Sequence, residues 1–318
     1  MVKLSIIVPT LNEAAHIEAL LESIAAVDDC EKEIFIVDGG STDGTKDKVL
    51  KIKAKNNQVH WVENPDRYVS HGFNRAFLQT SGAYVALVGA HAIYPKQYFS
   101  TCIAAIESGA CEVSGGFLIH QGRGIMGEAI ALCMASEFGV GNTAFRTKRQ
   151  KMYVDSVAFA VYDRQVFERV GLFDEALIRN QDDEFHYRLN AAGLRILMLP
   201  ELETTYFVRS SLSKLFQQYF QYGFYKPLVF KKVRKGIRAR HLIPAAFVAY
   251  ILSLPAMIFW PWWGLPLGLY FGLVLFFSLS AKTSWSARLA AMTVYPTLHI
   301  AYGWGFIRGL LHWNFKKT

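Results

Sequence analysis

The sequence predicts an α/β fold, a mostly parallel sheet with helices on both faces, followed by transmembrane helices at its C-terminal end. Three observations carry that expectation. Short Ile/Val-rich runs alternate with helix-period segments over the first 90 residues, the pattern of a sheet covered on both sides. All 26 acidic residues lie at or before Glu203, with 20 of the 34 basic ones. From Thr204 onward there are 14 Lys/Arg and no Asp or Glu, and that part holds uncharged apolar blocks of 19 and 17 residues. A chain of 318 residues has room for one ordinary α/β domain and an appendage.

Residues 4–9 (LSIIVP) read as a short buried strand bounded by Pro9. Asn12 is placed to cap a helix in which Ile17, Leu20, Leu21 and Ile24 recur at helical spacing. EIFIVD at 33–38 is a second strand, and a helix runs from Thr42 to about Lys55. A third strand is expected at 59–62, and a helix over 70–80 leads into a fourth at 84–88. Further strands are expected at 113–119 and 154–161. Helices are expected at 126–138, 164–169 and 183–192, the last closed by Gly193. Ligands of such sheets bind beyond the carboxyl ends of the strands. That singles out Thr10, Asn12, Glu13, Asp38 and Gly89-Ala90-His91.

The apolar blocks at 242–260 and 265–281 are each near the ~20 residues a membrane span needs. Pro261-Trp262-Trp263-Gly264 between them suits a tight hairpin with interfacial aromatics. Six Lys/Arg between Lys231 and Arg240 place that flank, and the soluble part, on the cytoplasmic side of the inner membrane. A third block, 289–307, leaves two readings open. As a span it would put Lys316 and Lys317 outside, while Pro296, His299 and its glycines equally permit a re-entrant element. The expected division is therefore 1–225 soluble, 226–241 basic and juxtamembrane, and 242–311 a multi-pass membrane region. Nucleic acid is not an expected partner, because the basic residues flank stretches too apolar to track phosphates. MVKLSIIVPTLNE lacks the long apolar region and cleavage site of a signal peptide. Cys30, Cys102, Cys111 and Cys133 show no metal-type spacing and read as reduced thiols.

Asp38-Gly-Gly-Ser-Thr-Asp-Gly-Thr45 follows a strand and opens a helix. Its glycines permit positive φ and close approach to a ligand, and Asp38 can accept hydrogen bonds from a base or ribose. An ordinary capped turn is the alternative. It loses ground because Val8-Pro-Thr-Leu-Asn-Glu13 stands at another strand end about 25 residues earlier. Gly122-Arg-Gly-Ile-Met-Gly127 fits GxGxxG but lies deep in the domain, with no acid closing a following strand, so no dinucleotide site is expected there.

SIIVPTLNE followed by DGGSTDGT resembles the nucleotide-binding opening of glycosyltransferase family 2. The resemblance continues through Asn74 in GFNRAF, the Gly82-Ala-Tyr-Val strand and Gln181-Asp-Asp-Glu-Phe-His-Tyr-Arg-Leu189, covering roughly residues 4–225. VGLFDEALIRNQDDEFHYRL and RSSLSKLFQQYFQYGFYK are similar to the membrane-bound enzymes of succinoglycan-type exopolysaccharide synthesis. The resemblance implies the GT-A nucleotide-sugar fold and an inverting transfer from a nucleotide donor, a UDP-sugar by family habit. The implied acceptor is a lipid-linked saccharide at the membrane. It also implies nucleotide contacts at Pro9, Thr10, Glu13, Asp38 and Asn74.

Where the family has Asp-x-Asp or Asp-x-His, this chain has Gly89-Ala90-His91, so Gly89 replaces the first acid. His91 is the expected ligand for a divalent cation, its imidazole suiting Mn²⁺ better than Mg²⁺. The family's Glu-Asp-x-x-Leu pattern implies that Asp182 is the base that deprotonates the acceptor, with Gln181 in place of the Glu. Asp183 and Glu184 are rivals, since acids at a helix start also answer the macrodipole. Gln181, Asp183, Arg209 and Gln218 are expected near acceptor or diphosphate. Arg209 equally suits a basic amphipathic helix resting on anionic lipid. The function of another class left open is a non-catalytic binding or scaffold protein that kept the fold and lost the acid.

Overall fold

The computed structural model describes residues 3–26, 30–233 and 237–315. Arg234, Lys235, Lys316 and Lys317, used above to orient the chain, lie outside the described residues. Along the chain, β1 (Lys3–Thr10), α1 (Ile17–Ala25), β2 (Glu31–Asp38), α2 (Thr45–Lys53), β3 (Val59–Glu63), α3 (Val69–Phe77) and β4 (Tyr84–Leu87) alternate as expected. Then follow β5 (Ala92–Ile93), α4 (Tyr98–Glu107), β6 (Val113–Gln121), α5 (Gly124–Met134), α6 (Glu137–Val140) and α7 (Ala144–Thr147). After these come β7 (Met152–Tyr153), β8 (Val161–Asp163), α8 (Gln165–Val170), α9 (Gln181–Ala191) and β9 (Ile196–Phe207). The last part is helical: α10 (Leu212–Val233), α11 (Ala239–Ser253), α12 (Leu265–Leu279) and α13 (Trp285–Phe315), with 3-10 turns at Leu254–Ile258 and Pro261–Gly264.

The sheet runs β3-β2-β1-β4-β8-β6-β9-β5, with β7 on β9. The four strands β3, β2, β1 and β4 are parallel. Beyond β4 the recorded pairings are antiparallel, so the sheet is mixed. Ile6, Val8, Ile34 and Ile36 are fully or almost fully buried and pack with Ile17, Leu20, Leu21 and Ile24 of α1 and Phe99 and Cys102 of α4. Each such side chain contributes about 1.5–3 kcal/mol by leaving water. This layer fixes the strand register, and the register places Thr10 beside Asp38 at the carboxyl rim.

Some local expectations change. Asn12 does not cap the first helix: it sits at φ 56°, and α1 starts at Ile17, where the Glu13 carbonyl accepts from the His16 and Ile17 amides. The strand expected at 154–161 does not form: β7 ends at Tyr153, residues 154–160 are irregular, and Phe159 takes a φ of 53°, incompatible with extended chain. Strand resumes only at Val161. The helix expected at 126–138 splits because the Ser136 hydroxyl accepts from the Phe138 amide and caps a new turn.

Two compact units divide the chain: residues 1–119 with 148–206, and residues 120–147 with 207–318. In the second unit, α10 and α13 touch backbone to backbone. A Cβ added at Gly223 would lie 2.1 Å from the Tyr302 carbonyl oxygen. Added at Gly305 or Gly309, it would lie 2.1 Å from the Phe220 or Phe224 oxygen. Small residues spaced in this way let helices approach closely. The third apolar block is therefore part of one continuous 31-residue helix. It spends Ala287, Ala291, Val294, Tyr295, Leu298 and Ala301 on protein packing.

Two helical stretches, Ala239–Ile258 and Pro261–Leu279, are long and apolar enough to cross a membrane, and only 11% of each is buried. A soluble core helix would be mostly buried, so that explanation does not apply. Ile243, Ile258, Phe259 and Leu265 are exposed by 64–81%. The turn between the stretches is buttoned: the Tyr250 hydroxyl donates to the Trp263 carbonyl (2.6 Å) and Trp263 Nε1 to Ser253 Oγ (2.9 Å).

Candidate active site

The carboxyl ends of β1 and β2 continue into two loops that hold one another. Asp38 is buried, and its Oδ2 accepts the Gly40 and Ser41 amides, both at 2.9 Å, while Ser41 Oγ donates to Oδ1. Three of the roughly four acceptor sites of a carboxylate are thus used, leaving one for a ligand. Gly40 and Gly44 take φ of 87° and 91°, which only glycine adopts freely. Across the gap, Asn12 Oδ1 accepts from the Thr42 amide (2.9 Å), and its own amide donates to Ser41 Oγ (2.8 Å). Asp43 Oδ2 accepts from the Ala14 amide (3.0 Å), and the Glu13 amide donates to Thr45 Oγ1 (2.9 Å). The Thr45 hydroxyl bonded to Asp43 holds that carboxyl below the usual range. Thr10 is buried and bonds Val8, whereas Pro9 is half-buried.

After β4 the chain turns through Gly89 to His91, whose Nδ1 lies 3.0 Å from Glu13 Oε1. Both side chains are mostly buried, and the imidazole also rests on Tyr206, ring centroids 5.1 Å apart. Gly89 is not a vacant position waiting for an acid. A Cβ there would lie 2.5 Å from the ring of Phe159, the residue held at positive φ.

β8 runs antiparallel to β4, so the residues just before it lie at the same rim. Helix α9 is fastened to that segment. His186 Nδ1 meets Ser156 Oγ at 2.9 Å, its Nε2 meets the Tyr162 hydroxyl at 3.0 Å, and Asn190 donates to the Asp155 carbonyl. Burial pushes His186 down to about 4, so it is a neutral strut at physiological pH. Burial, reinforced by the Asp182 charge, raises Tyr162 well above its ordinary value. Asp182 and Asp183 are half-buried in the first turn, where Asp182 Oδ1 accepts the Asp183 amide at 3.0 Å. Glu184 is different: it is 3% exposed and forms a two-pronged pair with Arg188, at 2.8 and 2.9 Å. Arg188 also donates to the Val170 and Leu172 carbonyls. That removes Glu184 from the candidates for a base.

The family model for glycosyl transferase family 2 matches residues 5–171, more than half of the chain. The chain belongs to glycosyltransferase family 2. Succinoglycan biosynthesis protein ExoA of Rhizobium meliloti is 31% identical across 96% of this chain and 94% of its own length. A Methanococcus voltae relative is 29% identical over 98% of both chains. Its name is dolichyl N-acetyl-alpha-D-glucosaminyl phosphate 3-beta-D-2,3-diacetamido-2,3-dideoxy-beta-D-glucuronosyltransferase. Among solved structures, the mannosyltransferase PcManGT from Pyrobaculum calidifontis, in complex with GDP-Man and Mn²⁺, superposes with a TM-score of 0.61. It is 20% identical and covers 98% of this chain and 88% of its own. S. aureus TarS 1-349 with UDP-GlcNAc gives 0.52 at 17% identity, covering 95% and 92%. These two likenesses show the GT-A-type fold.

In this glycosyltransferase the other expected residues fall in two groups. Asn74, expected at the nucleotide, has its amide committed to the backbone of Phe173 on both sides and to Glu175. Gln181 opens α9. Arg209 and Gln218 belong to the second unit: Arg209 is exposed, and Gln218 donates to Tyr222 one helical turn on, at 3.0 Å. The glycines of the GxGxxG run serve a tight turn, since a Cβ at Gly122 would meet the Gly127 carbonyl at 2.0 Å. The signal that the sequence did not yield is the Glu13–His91 pair, 78 residues apart. Only the β1–β4 pairing makes them neighbours.

Two solved structures that share the fold, PcManGT and GalNAc-T7, were determined with Mn²⁺. Among the described residues no group of three or more His, Cys, Asp or Glu could hold a metal alone. The residues present fit a divalent cation held through one protein nitrogen. Glu13 occupies Nδ1 of His91, which leaves Nε2 as the ring nitrogen with no protein partner among the described residues. The remaining ligands would be phosphate and water oxygens, as is usual for phosphate-bound cations. Gly89→Asp is therefore expected not to improve Mn²⁺ binding. It would collide with Phe159 and cost about 1–3 kcal/mol as overpacking. A lowered thermal midpoint, read alongside Mn²⁺ titration, checks this.

Proposed function

We propose that this enzyme transfers a sugar, with inversion, from a nucleoside-diphosphate donor to a lipid-linked saccharide at the cytoplasmic face of the inner membrane. The product would serve exopolysaccharide or other cell-surface glycan synthesis. The observation that carries the reading is the single rim where the Asp38 loop, Glu13, His91 and the strand anchoring α9 come together. The relatives' names support the glycan context and, for one, an acceptor on a dolichyl carrier. Two exposed apolar helices support membrane attachment. The proposed division stays at 1–225 for the catalytic part, 226–241 for the basic flank and 242–311 for the membrane region.

In the proposed reaction, Thr10, Pro9 and the Asp38 loop hold the nucleoside, Asp38 through its remaining acceptor site. His91 would be the protein ligand of a divalent cation, which neutralises charge on the departing diphosphate when bound. Asp182 takes the proton of the acceptor hydroxyl. The acceptor oxygen bonds to the anomeric carbon as the bond from that carbon to the diphosphate oxygen breaks, and the nucleoside diphosphate leaves with the electron pair. Asp183 and Gln181 lie on the same helix turn and are assigned to acceptor binding.

The test is a panel of UDP- and GDP-sugars offered to the full chain in detergent with a lipid extract and Mn²⁺. One donor, UDP-linked first, should label a lipid product whose new bond has inverted anomeric configuration by NMR. Nucleotide binding without transfer from any donor would favour the scaffold reading, and a retained configuration would remove the single-base mechanism.

A further inference from the structure

The Glu13–His91 contact invites a closer assignment, because the bond joins the strand-end motif to the segment that has lost its acid. Glu13 is not free to move. Its amide is held by Thr45 Oγ1, its carbonyl accepts from two amides at the start of α1, and the next amide is held by Asp43. A rigid backbone therefore presents the carboxylate to Nδ1 at 3.0 Å, with Tyr206 bracing the ring. The position of the missing acid is closed by Phe159.

We propose that Glu13 is a positioning residue for His91, acting on the cation through the imidazole and not on the nucleotide directly. A neutral imidazole carries one ring proton, and an acceptor on Nδ1 keeps that proton there. Nε2 then keeps its lone pair, and the carboxylate makes it a better donor. The acid absent at position 89 is thus replaced in effect by a carboxylate that acts across the imidazole ring. This inference rests on the nucleotide-sugar reading of the rim and deepens it.

The experiment uses the full chain in detergent and follows Mn²⁺ by electron paramagnetic resonance in the presence of UDP or GDP, whichever binds. UDP or GDP binding in EDTA is measured separately by calorimetry. Glu13→Ala should weaken Mn²⁺ about 10–100-fold, the usual cost of losing a ligand's hydrogen-bonded partner. Glu13→Gln, whose amide oxygen can still accept from Nδ1, should recover part of the loss and guards against a folding defect. Nucleotide binding in EDTA should be the same in all three proteins. The inference is overturned if Glu13→Ala binds Mn²⁺ as the wild type does, if both substitutions weaken it equally, or if nucleotide binding in EDTA falls with either. It is also overturned if the wild type transfers sugar without binding Mn²⁺, a result that leaves the glycosyl transfer itself intact. No transfer from any donor would instead remove the reading beneath it.

Discussion

Asp182→Asn is expected to slow sugar transfer by about 10²–10⁴-fold, the range for losing a general base, while leaving thermal stability and nucleotide binding unchanged. The amide keeps the size of the carboxylate and can still accept the Asp183 amide that Asp182 now holds. What it loses is the ability to take a proton. Asp182 is half-buried, and its charge helps raise the buried Tyr162 hydroxyl above its ordinary value. Transfer to lipid, measured with the donor that the panel selects, decides the matter. A rate within threefold of wild type would move the base to Asp183.

Two residues on, the expectation reverses. Glu184→Ala should cost about 3–5 kcal/mol of stability, because breaking a buried pair strands the other charge. Arg188 would remain clamped to the Val170 and Leu172 carbonyls, with its guanidinium over Phe185 and no carboxylate. The loop before α9 is anchored by the same arginine, so activity should fall in step with the folded fraction. Thermal unfolding in detergent reads the loss. A midpoint unchanged from wild type would show that the pair is dispensable and would return Glu184 to the candidates for the base. The contrast between neighbours on one helix turn separates chemistry from structure.

The parallel half of the sheet was legible because its strands are short Ile/Val runs punctuated by Pro9 and the DGGSTDG glycines. The antiparallel half was not. β9 carries Pro200 and alternates weakly over twelve residues, and β5 is only two residues long. Residues 154–160 read as a strand but are irregular, with Phe159 at a positive φ that side-chain pattern does not reveal. At the site, Thr10, Asp38, Glu13 and His91 stood out as polar groups at strand ends. The sequence could not tell that Asn74 spends its amide on residues about a hundred positions away. Nor could it tell that Glu184 is spent on Arg188, although the i,i+4 spacing was there to be read. A glycine in the place of an acid looks like a loss until the neighbour that fills the space is seen.

The most direct measurement is calorimetric binding of UDP and GDP to the full chain and to Asp38→Ala, with thermal midpoints recorded for both. At least one nucleotide should bind the wild type, and Asp38→Ala, still folded, should bind it at least ~10-fold more weakly. That is the scale for losing a hydrogen bond to a charged group. A folded Asp38→Ala protein with undiminished affinity would mean that the nucleoside sits somewhere other than this rim.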